Sequence, residues 1–256
     1  MKVCVLSSGS KGNSVLIMTK NTKVLIDLGV TKSYVEDKLR EIEVDPKDIK
    51  AILITHTHTD HIQGLKVFLK KYHPTLYVNK VILHQLKDYI ENFDYKLYED
   101  NNFTIEDINV NVIKTSHDVK GSVGFVLENN NKSVVYVTDT GYINKKYFNV
   151  LKNRSLYVFE SNHDVEMLMN GSYPFHLKKR IIGDKGHLSN VDSSYYLSKF
   201  VGENTKTIIL AHLSDDNNTY EKAEESLTDA LKSNNKKVKN IIIAKQKQRT
   251  DMIEVW

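Results

Sequence analysis

The sequence predicts one α/β domain spanning residues 1–256 and built as two similar halves. Short apolar runs of four or five residues recur along the chain with stretches of helical spacing between them. The same alternation begins again in the second half. No Pro-, Gly- or Ser-rich linker divides the two, and 256 residues suffice for a sizeable core.

In the first half the apolar runs predict strands at Lys2–Leu6, Ser14–Thr19, Lys23–Asp27 and Ala51–Ile54. A helix is expected over Thr31–Ile42 with Thr31 as its cap, and Asp45-Pro46 punctuates the next connection. Gly64–Tyr72 and Lys80–Tyr89 have helical spacing. Thr104–Thr115 alternates, with Ile108, Val110 and Val112 on one face, so it reads as one half-buried strand. Gly124–Glu128 and Ser133–Thr138 form a hairpin around Asn129-Asn130-Asn131.

The second half continues with a strand at Ser155–Phe159 and helical segments near Val165–Met169 and Phe175–Ile182. Ser189-x-x-Asp192 opens a helix carrying Leu197, Phe200 and Val201 on one face. A strand at Thr207–Leu210 precedes a helix at Glu221–Lys232, and strands at Lys239–Ala244 and Met252–Val255 close the chain.

Composition excludes several classes. At 40% hydrophobic and 27% charged residues, the chain has the balance of a globular protein rather than a disordered one. No apolar run approaches the ~20 residues of a membrane span. The N-terminus turns polar after Leu6, so a cytoplasmic location is expected. A lone cysteine, Cys4, excludes an internal disulfide and a cysteine-built zinc module. Thirty-six basic against 32 acidic residues give +4, too small an excess to mark a dedicated nucleic-acid surface.

The sharpest feature is Ala51-Ile-Leu-Ile-Thr-His56-Thr-His58-Thr-Asp60-His61, where a buried strand runs into four candidate metal ligands. Imidazole and carboxylate hold Zn²⁺ and Mn²⁺ alike. Alternation along the strand would aim His56 and His58 the same way, with Asp60 and His61 offset in the turn, which suits two adjacent ions better than one. His117, Asp139 and His212 each end a predicted strand, the position where α/β proteins gather their sites.

This pattern resembles the metallo-β-lactamase superfamily, whose hallmark is His-x-His-x-Asp-His followed by a lone His, a bridging Asp and a final His. The resemblance implies an αββα sandwich of two mixed sheets flanked by helices. It also implies two divalent ions, Zn²⁺ or Mn²⁺: one held by His56, His58 and His117, the other by Asp60, His61 and His212, with Asp139 bridging. Asp27-Leu-Gly29 is similar to an early Asp-x-Gly whose aspartate would orient a ligand histidine.

The superfamily acts on β-lactams, thioesters, lactones and phosphodiesters, so the motif leaves the substrate open. Asp139 in place of a cysteine departs from secreted zinc β-lactamases. Gly186-His187-Leu-Ser189-Asn190 and Ala211-His212-Leu-Ser214-Asp-Asp-Asn217-Asn218 resemble the closing segments of RNase Z-like nucleases. Ser7-Ser8-Gly9-Ser10-Lys11-Gly12-Asn13-Ser14, with Glu160-Ser-Asn162-His163-Asp164 and Gly171-Ser-Tyr173-Pro174, resembles the YycJ/WalJ family of 5′-to-3′ DNA exonucleases. Only 21 residues separate His117 from Asp139, too few for a tRNA-gripping arm. The 72 residues between Asp139 and His212 are too few for a β-CASP domain.

The resemblance thus implies a metal-dependent hydrolase, a DNA exonuclease in which a water activated between two ions attacks phosphorus. Asp60 would receive the nucleophile's proton and His187 would protonate the leaving group. Ser8, Ser10 and Asn13 in the serine-rich turn are candidate phosphate contacts, although a tight hairpin explains that turn equally well. His163, Ser189, Ser214 and Asn217 are further substrate candidates. Two alternatives share the ligands. A thioesterase or lactonase would need a closed apolar pocket, whereas a groove rimmed by Lys11, His187 and Asn217-Asn218 would favour a polymer. A non-catalytic metal or nucleic-acid-binding module is the other.

Overall fold

Two seven-stranded mixed sheets flanked by helices make up the computed structural model, which describes residues 1–87, 89–99 and 102–256. The first sheet is built from β1 (Lys2–Ser7), β2 (Ser14–Met18), β3 (Lys23–Ile26), β4 (Ala51–Leu53), β5 (Thr75–Val78) and β6 (Tyr95–Leu97). Its helices are α1 (Lys32–Arg40), α2 (Thr59–Ile62), α3 (Leu65–Tyr72) and α4 (Lys80–Leu86). The second sheet takes β7 (Asn102–Ile105), β8 (Ile108–Lys114), β9 (Val123–Asn129), β10 (Lys132–Val137), β11 (Leu156–Glu160), β12 (Thr207–Ala211) and β13 (Asn240–Ile243). Its helices are α5 (Phe148–Leu151), α6 (Val165–Asn170), α7 (Phe175–Ile182), α8 (Asn190–Phe200) and α9 (Tyr220–Ser233). Finally β14 (Ile253–Glu254) returns to pair with β1.

The two sheets repeat one plan. In the first, β14, β1, β2 and β3 pair antiparallel, then β3 to β6 pair parallel. In the second, β7 to β10 pair antiparallel and β10 to β13 parallel. The similarity of the halves expected from the sequence therefore lies in strand pairing.

Strand periodicity explains the core. On β10 to β12, Val134, Tyr136, Leu156, Val158, Ile209 and Ala211 join the large cluster between the sheets. Their alternates Val135, Val137, Tyr157, Phe159, Ile208 and Leu210 form the second cluster, against the helices. Strands buried on both faces read as continuous apolar runs. On α9, Ala223, Leu227 and Leu231 recur every four residues and face that cluster. Ser189 caps α8 by accepting from the Asp192 backbone N–H, and Thr31 caps α1 by accepting from that of Tyr34.

Three expectations are corrected. Thr104–Thr115 is a hairpin, because Glu106 takes a left-handed φ of 51° and turns the chain between β7 and β8. Strands β5 and β6 were not foreseen; each is only three or four residues and leans on its neighbours rather than on a pattern of its own. The expected helix Lys80–Tyr89 ends at Leu86, and Asp88 within that span lies outside the described residues. Among the described residues no helix is long and apolar enough to cross a membrane.

Candidate metal centre

The centre forms where the carboxyl ends of β3, β4, β10, β11 and β12 meet. Asp27 follows β3, Asp139 follows β10 by two residues, Glu160 is the last residue of β11, and His212 follows β12. Three of them hold left-handed backbone: Asp27 at φ 59°, Asp139 at 57° and His212 at 56°. Aspartate tolerates this region better than most residues. The conformation turns each side chain out of the pleat and into the rim between the sheets. Strand β4 stops at Leu53, three residues before His56, so His56 and His58 converge through extended loop rather than strand alternation. His58 is the N-cap of α2, and Asp60 and His61 ride on that single helical turn.

Six histidines and three carboxylates bring their donor atoms together. Within each of four groups these atoms lie within 4.8 Å of one another: His56, His58 and His117; Asp60, His61 and His212; His56, His61 and Asp139; and Asp139, Glu160, His187 and His212. His56 Nε2 is 3.2 Å from His58 Nδ1, which is 3.3 Å from His117 Nε2. Asp60 Oδ2 stands 3.6 Å from His61 Nε2 and 3.8 Å from His212 Nε2. Asp139 spans both sides, with Oδ2 3.2 Å from His61 Nε2 and Oδ1 3.9 Å from His117 Nε2.

Supporting groups fix which nitrogen of each histidine faces inward. Asp27 Oδ2 accepts from His61 Nδ1 at 2.7 Å. Thr55 spends its single hydroxyl proton on Asp27, so its oxygen can only accept from His56 Nδ1 at 3.1 Å, which leaves His56 Nε2 with a free lone pair. Glu160 Oε1 plays the same part twice, 2.8 Å from His187 Nδ1 and 2.9 Å from His212 Nδ1. Asn13 Nδ2 reaches His61 Nε2 at 3.0 Å, and Ser8 Oγ accepts from the His212 backbone N–H at 2.8 Å.

The electrostatics fit a cation. Burial and the neighbouring His61 push His56 well below the ordinary imidazole range, and burial likewise lowers His117, so both are neutral and able to ligate. Burial would raise the Asp139 carboxyl, but His212 and His61 hold it well below its usual range. Glu160 is lowered to about 2, its burial outweighed by His187 and His212. Burial would lower His61 and His212, yet the surrounding carboxylates raise His61 well above its usual range and His212 to about 10. This crowd of buried carboxylates demands positive charge. His212 Nε2 and Asp139 Oδ2 are also buried with no hydrogen-bond partner among the described residues. Divalent ions would meet both needs.

Glu160 and Asp118 were not foreseen as parts of this centre. Glu160 carries no motif spacing to the histidines; in the sequence it stands out only as the head of the Glu160-Ser-Asn162-His163-Asp164 segment. Asp118 Oδ1 lies 3.4 Å from both His58 Nε2 and His117 Nε2, while Oδ2 accepts from Arg180 Nε at 2.8 Å, tying α7 to the rim.

The expected substrate contacts divide. Asn13 reaches the centre, and Ser10 is exposed. Ser8, Ser189 and Asn217 are buried, 2–3% exposed, and Ser8 and Ser189 accept from the backbone N–H groups of His212 and of Asp192 in the α8 cap. Ser189 also donates to Asp192 Oδ2, so its hydroxyl is committed to the cap, whereas Ser8 uses only its oxygen and keeps its proton to donate. Ser214 Oγ accepts from the Asn217 backbone N–H. His163 is 1% exposed with neither ring nitrogen bonded among the described residues, and burial lowers it to about 4, so it is a neutral buried side chain. Of the residues expected to rim a groove for a polymer, Lys11 is exposed and ion-paired to Asp215 at 2.6 Å, and Asn217 and Asn218 are buried; a cavity of about 680 Å³ opens beside His117.

Residues 8–212 match the family described as the metallo-beta-lactamase superfamily. The chain is 37% identical over 235 residues to the exodeoxyribonuclease YycJ of Bacillus anthracis, covering 89% of this chain and 88% of that one. It is 37% identical over 236 residues to the exodeoxyribonuclease WalJ of Streptococcus pneumoniae, covering 90% and 88%. Among solved structures, the metallo-beta-lactamase fold protein YhfI of Bacillus subtilis superposes with a TM-score of 0.73 at 17% identity, covering 97% of this chain and 98% of that one. The short form of human tRNase Z gives 0.68 at 16% identity, covering all of both chains. At these identities the two structures speak to the fold alone.

Proposed function

The chain belongs to the metallo-β-lactamase superfamily and, within it, to the family of the exodeoxyribonucleases YycJ and WalJ, and from this we propose a dinuclear metal-dependent phosphodiesterase that shortens DNA from the 5′ end. The observation that carries the reading is the position of Asp139 between two sets of donors, one reached through His117 and the other through His61.

In this reading His56, His58 and His117 hold one divalent ion, Asp60, His61 and His212 hold the other, and Asp139 serves both. When bound, the ions offset charge on the phosphoryl oxygens and lower the pKa of an attacking water. Asp60 is suited to take that water's proton. Burial would raise its carboxyl, but His212 and His61 keep it below the usual range, and its side chain is 24% exposed. His187, 20% exposed, is suited to protonate the leaving oxygen through Nε2 while Glu160 holds Nδ1. Asp27 fixes His61 through Nδ1 and leaves Nε2 for the ion, which would displace the Asn13 amide that reaches Nε2 here.

The same scaffold could serve an acyl substrate, but four lysines line the cavity beside His117, which suits a polyanion better than an acyl chain. Zn²⁺ and Mn²⁺ both suit the donors. A cytoplasmic location belongs to the proposal because DNA is the substrate.

The test is turnover on end-labelled single- and double-stranded DNA by the full chain, stripped of metal and reloaded separately with Mn²⁺ and Zn²⁺. We expect shortening from the 5′ end only after reloading, and none in Asp139→Ala. No cleavage under any loading, with hydrolysis of a thioester or lactone instead, would overturn the substrate assignment.

A further inference from the structure

The cavity beside the metal centre shares His117 with it, and its walls have two characters. Val81, Val112, Val119 and Val123 give an apolar floor, and Lys80, Lys114, Lys120 and Lys185 bring positive charge against the single acid Glu99. Lys80 is already paired with Glu99 at 2.9 Å. Among the described residues Lys120 and Lys185 make no hydrogen bond or ion pair through Nζ. Both are exposed lysines in a lining that carries four lysines and one acid.

The wall that carries Lys120 is fixed from outside. Asn79 Nδ2 donates to the Gly121 carbonyl at 2.9 Å, and Gln85 Nε2 donates to the Lys120 carbonyl at 3.2 Å. Gly121 sits at φ +85°, where a Cβ would come within 2.9 Å of Val81, so only glycine lets this loop lie so close to α4. Loop and cavity are thus held in place before any ligand arrives. The volume, about 680 Å³, is that of a pocket for a small ligand rather than of a groove tracking a long strand.

We propose that this cavity seats the terminal nucleotide of the DNA strand, its sugar and base over Val81, Val112 and Val119 and its terminal phosphate against Lys120 and Lys185. The inference rests on the nuclease reading and adds to it a preference for phosphorylated 5′ ends. A terminal phosphate carries about two charges near neutrality, and a hydroxyl end carries none.

The experiment is fluorescence anisotropy with the full chain kept metal-free by chelator, so that no strand is cut. The probes are two short single-stranded DNAs identical but for a 5′ phosphate or a 5′ hydroxyl, compared at fixed low salt. We expect the phosphorylated strand to bind roughly tenfold more tightly to the native chain. Lys120→Ala/Lys185→Ala should reduce that ratio to about one, and Lys120→Arg/Lys185→Arg should keep it. Circular dichroism of each variant confirms that the fold is unchanged. An equal affinity for both ends, or a preference that survives in the double alanine variant, overturns the proposal. Degradation of DNA by the metal-loaded native chain is measured separately: a chain that degrades DNA without the binding preference refutes this inference alone, and one that degrades no DNA refutes the nuclease reading.

Discussion

Asp27 and His61 form a fully buried hydrogen-bonded pair, Oδ2 to Nδ1 at 2.7 Å, with no exposed surface on either side chain. The carboxylate also accepts from the Thr55 backbone N–H and hydroxyl and from Tyr136, so its position is over-determined. It thereby fixes the ring of His61 and leaves Nε2 aimed at Asp60 and Asp139. Asp27→Asn should lower divalent-metal affinity by about 10- to 100-fold, as loss of such an outer partner generally does. Competition with a chromogenic chelator would show it; unchanged affinity would refute the orienting role.

Glu160 holds two histidines through one oxygen. Glu160→Gln keeps the shape but lets the amide present a donor where an acceptor stood, so His187 and His212 lose their common anchor. We expect kcat on DNA to fall by at least about tenfold with KM little altered. A KM rise at constant kcat would instead assign Glu160 to substrate binding.

Gly29 is a place where only glycine fits. A Cβ there would lie 1.5 Å from the Asp60 carbonyl oxygen, which also accepts from the Asn13 backbone N–H at 2.8 Å. Gly29→Ala must push the α2 turn away from the serine-rich loop. A stability loss of about 2–4 kcal/mol is expected from such backbone displacement, together with weakened metal binding. Thermal melts with and without added metal separate the two effects.

Away from the centre, Glu36 gives a pH signature. Burial would raise its carboxyl, but contacts from Lys71, Tyr72 and Lys32 bring it down to about 2. A carboxyl depressed in the folded state contributes stability above its unfolded pKa of about 4.3, and this is lost as pH falls toward about 2. Glu36→Gln should therefore be less stable than the native chain at neutral pH, and the difference should shrink steadily below about pH 4. Urea unfolding of metal-free protein across this range measures it; a constant difference would show that Glu36 does not titrate there.

Much of this molecule is legible in its sequence because strand periodicity and ligand chemistry are both local signals. The apolar runs at Val134–Val137 and Ile208–Ala211 announce doubly buried strands, and His56 to His61 announce a centre. What was hidden depends on contacts across the chain. Nothing near Glu160 in sequence hints that His187 and His212 will fold onto it. The left-handed backbone at Asp139 and His212 is a tertiary consequence, since neither residue type requires it. Ser8 and Ser189 read as ligand contacts because a hydroxyl's partner is invisible until the fold supplies one: the His212 N–H donates to Ser8, and Ser189 both accepts from and donates to Asp192.

The repeated plan of the two sheets gives the rim between them a second meaning. His56, His58, Asp60 and His61 come from the first repeat, and His117, Asp139 and His212 from the second, so each proposed ion set draws on both. Neither repeat owns a complete coordination sphere. The ions would then act as rivets across a seam, and loading them would favour the docked arrangement over any state in which the sheets part. Chelation should accordingly be felt as faster amide exchange at facing strand ends on both sides of the rim, with the helices behind each sheet left as slow as before.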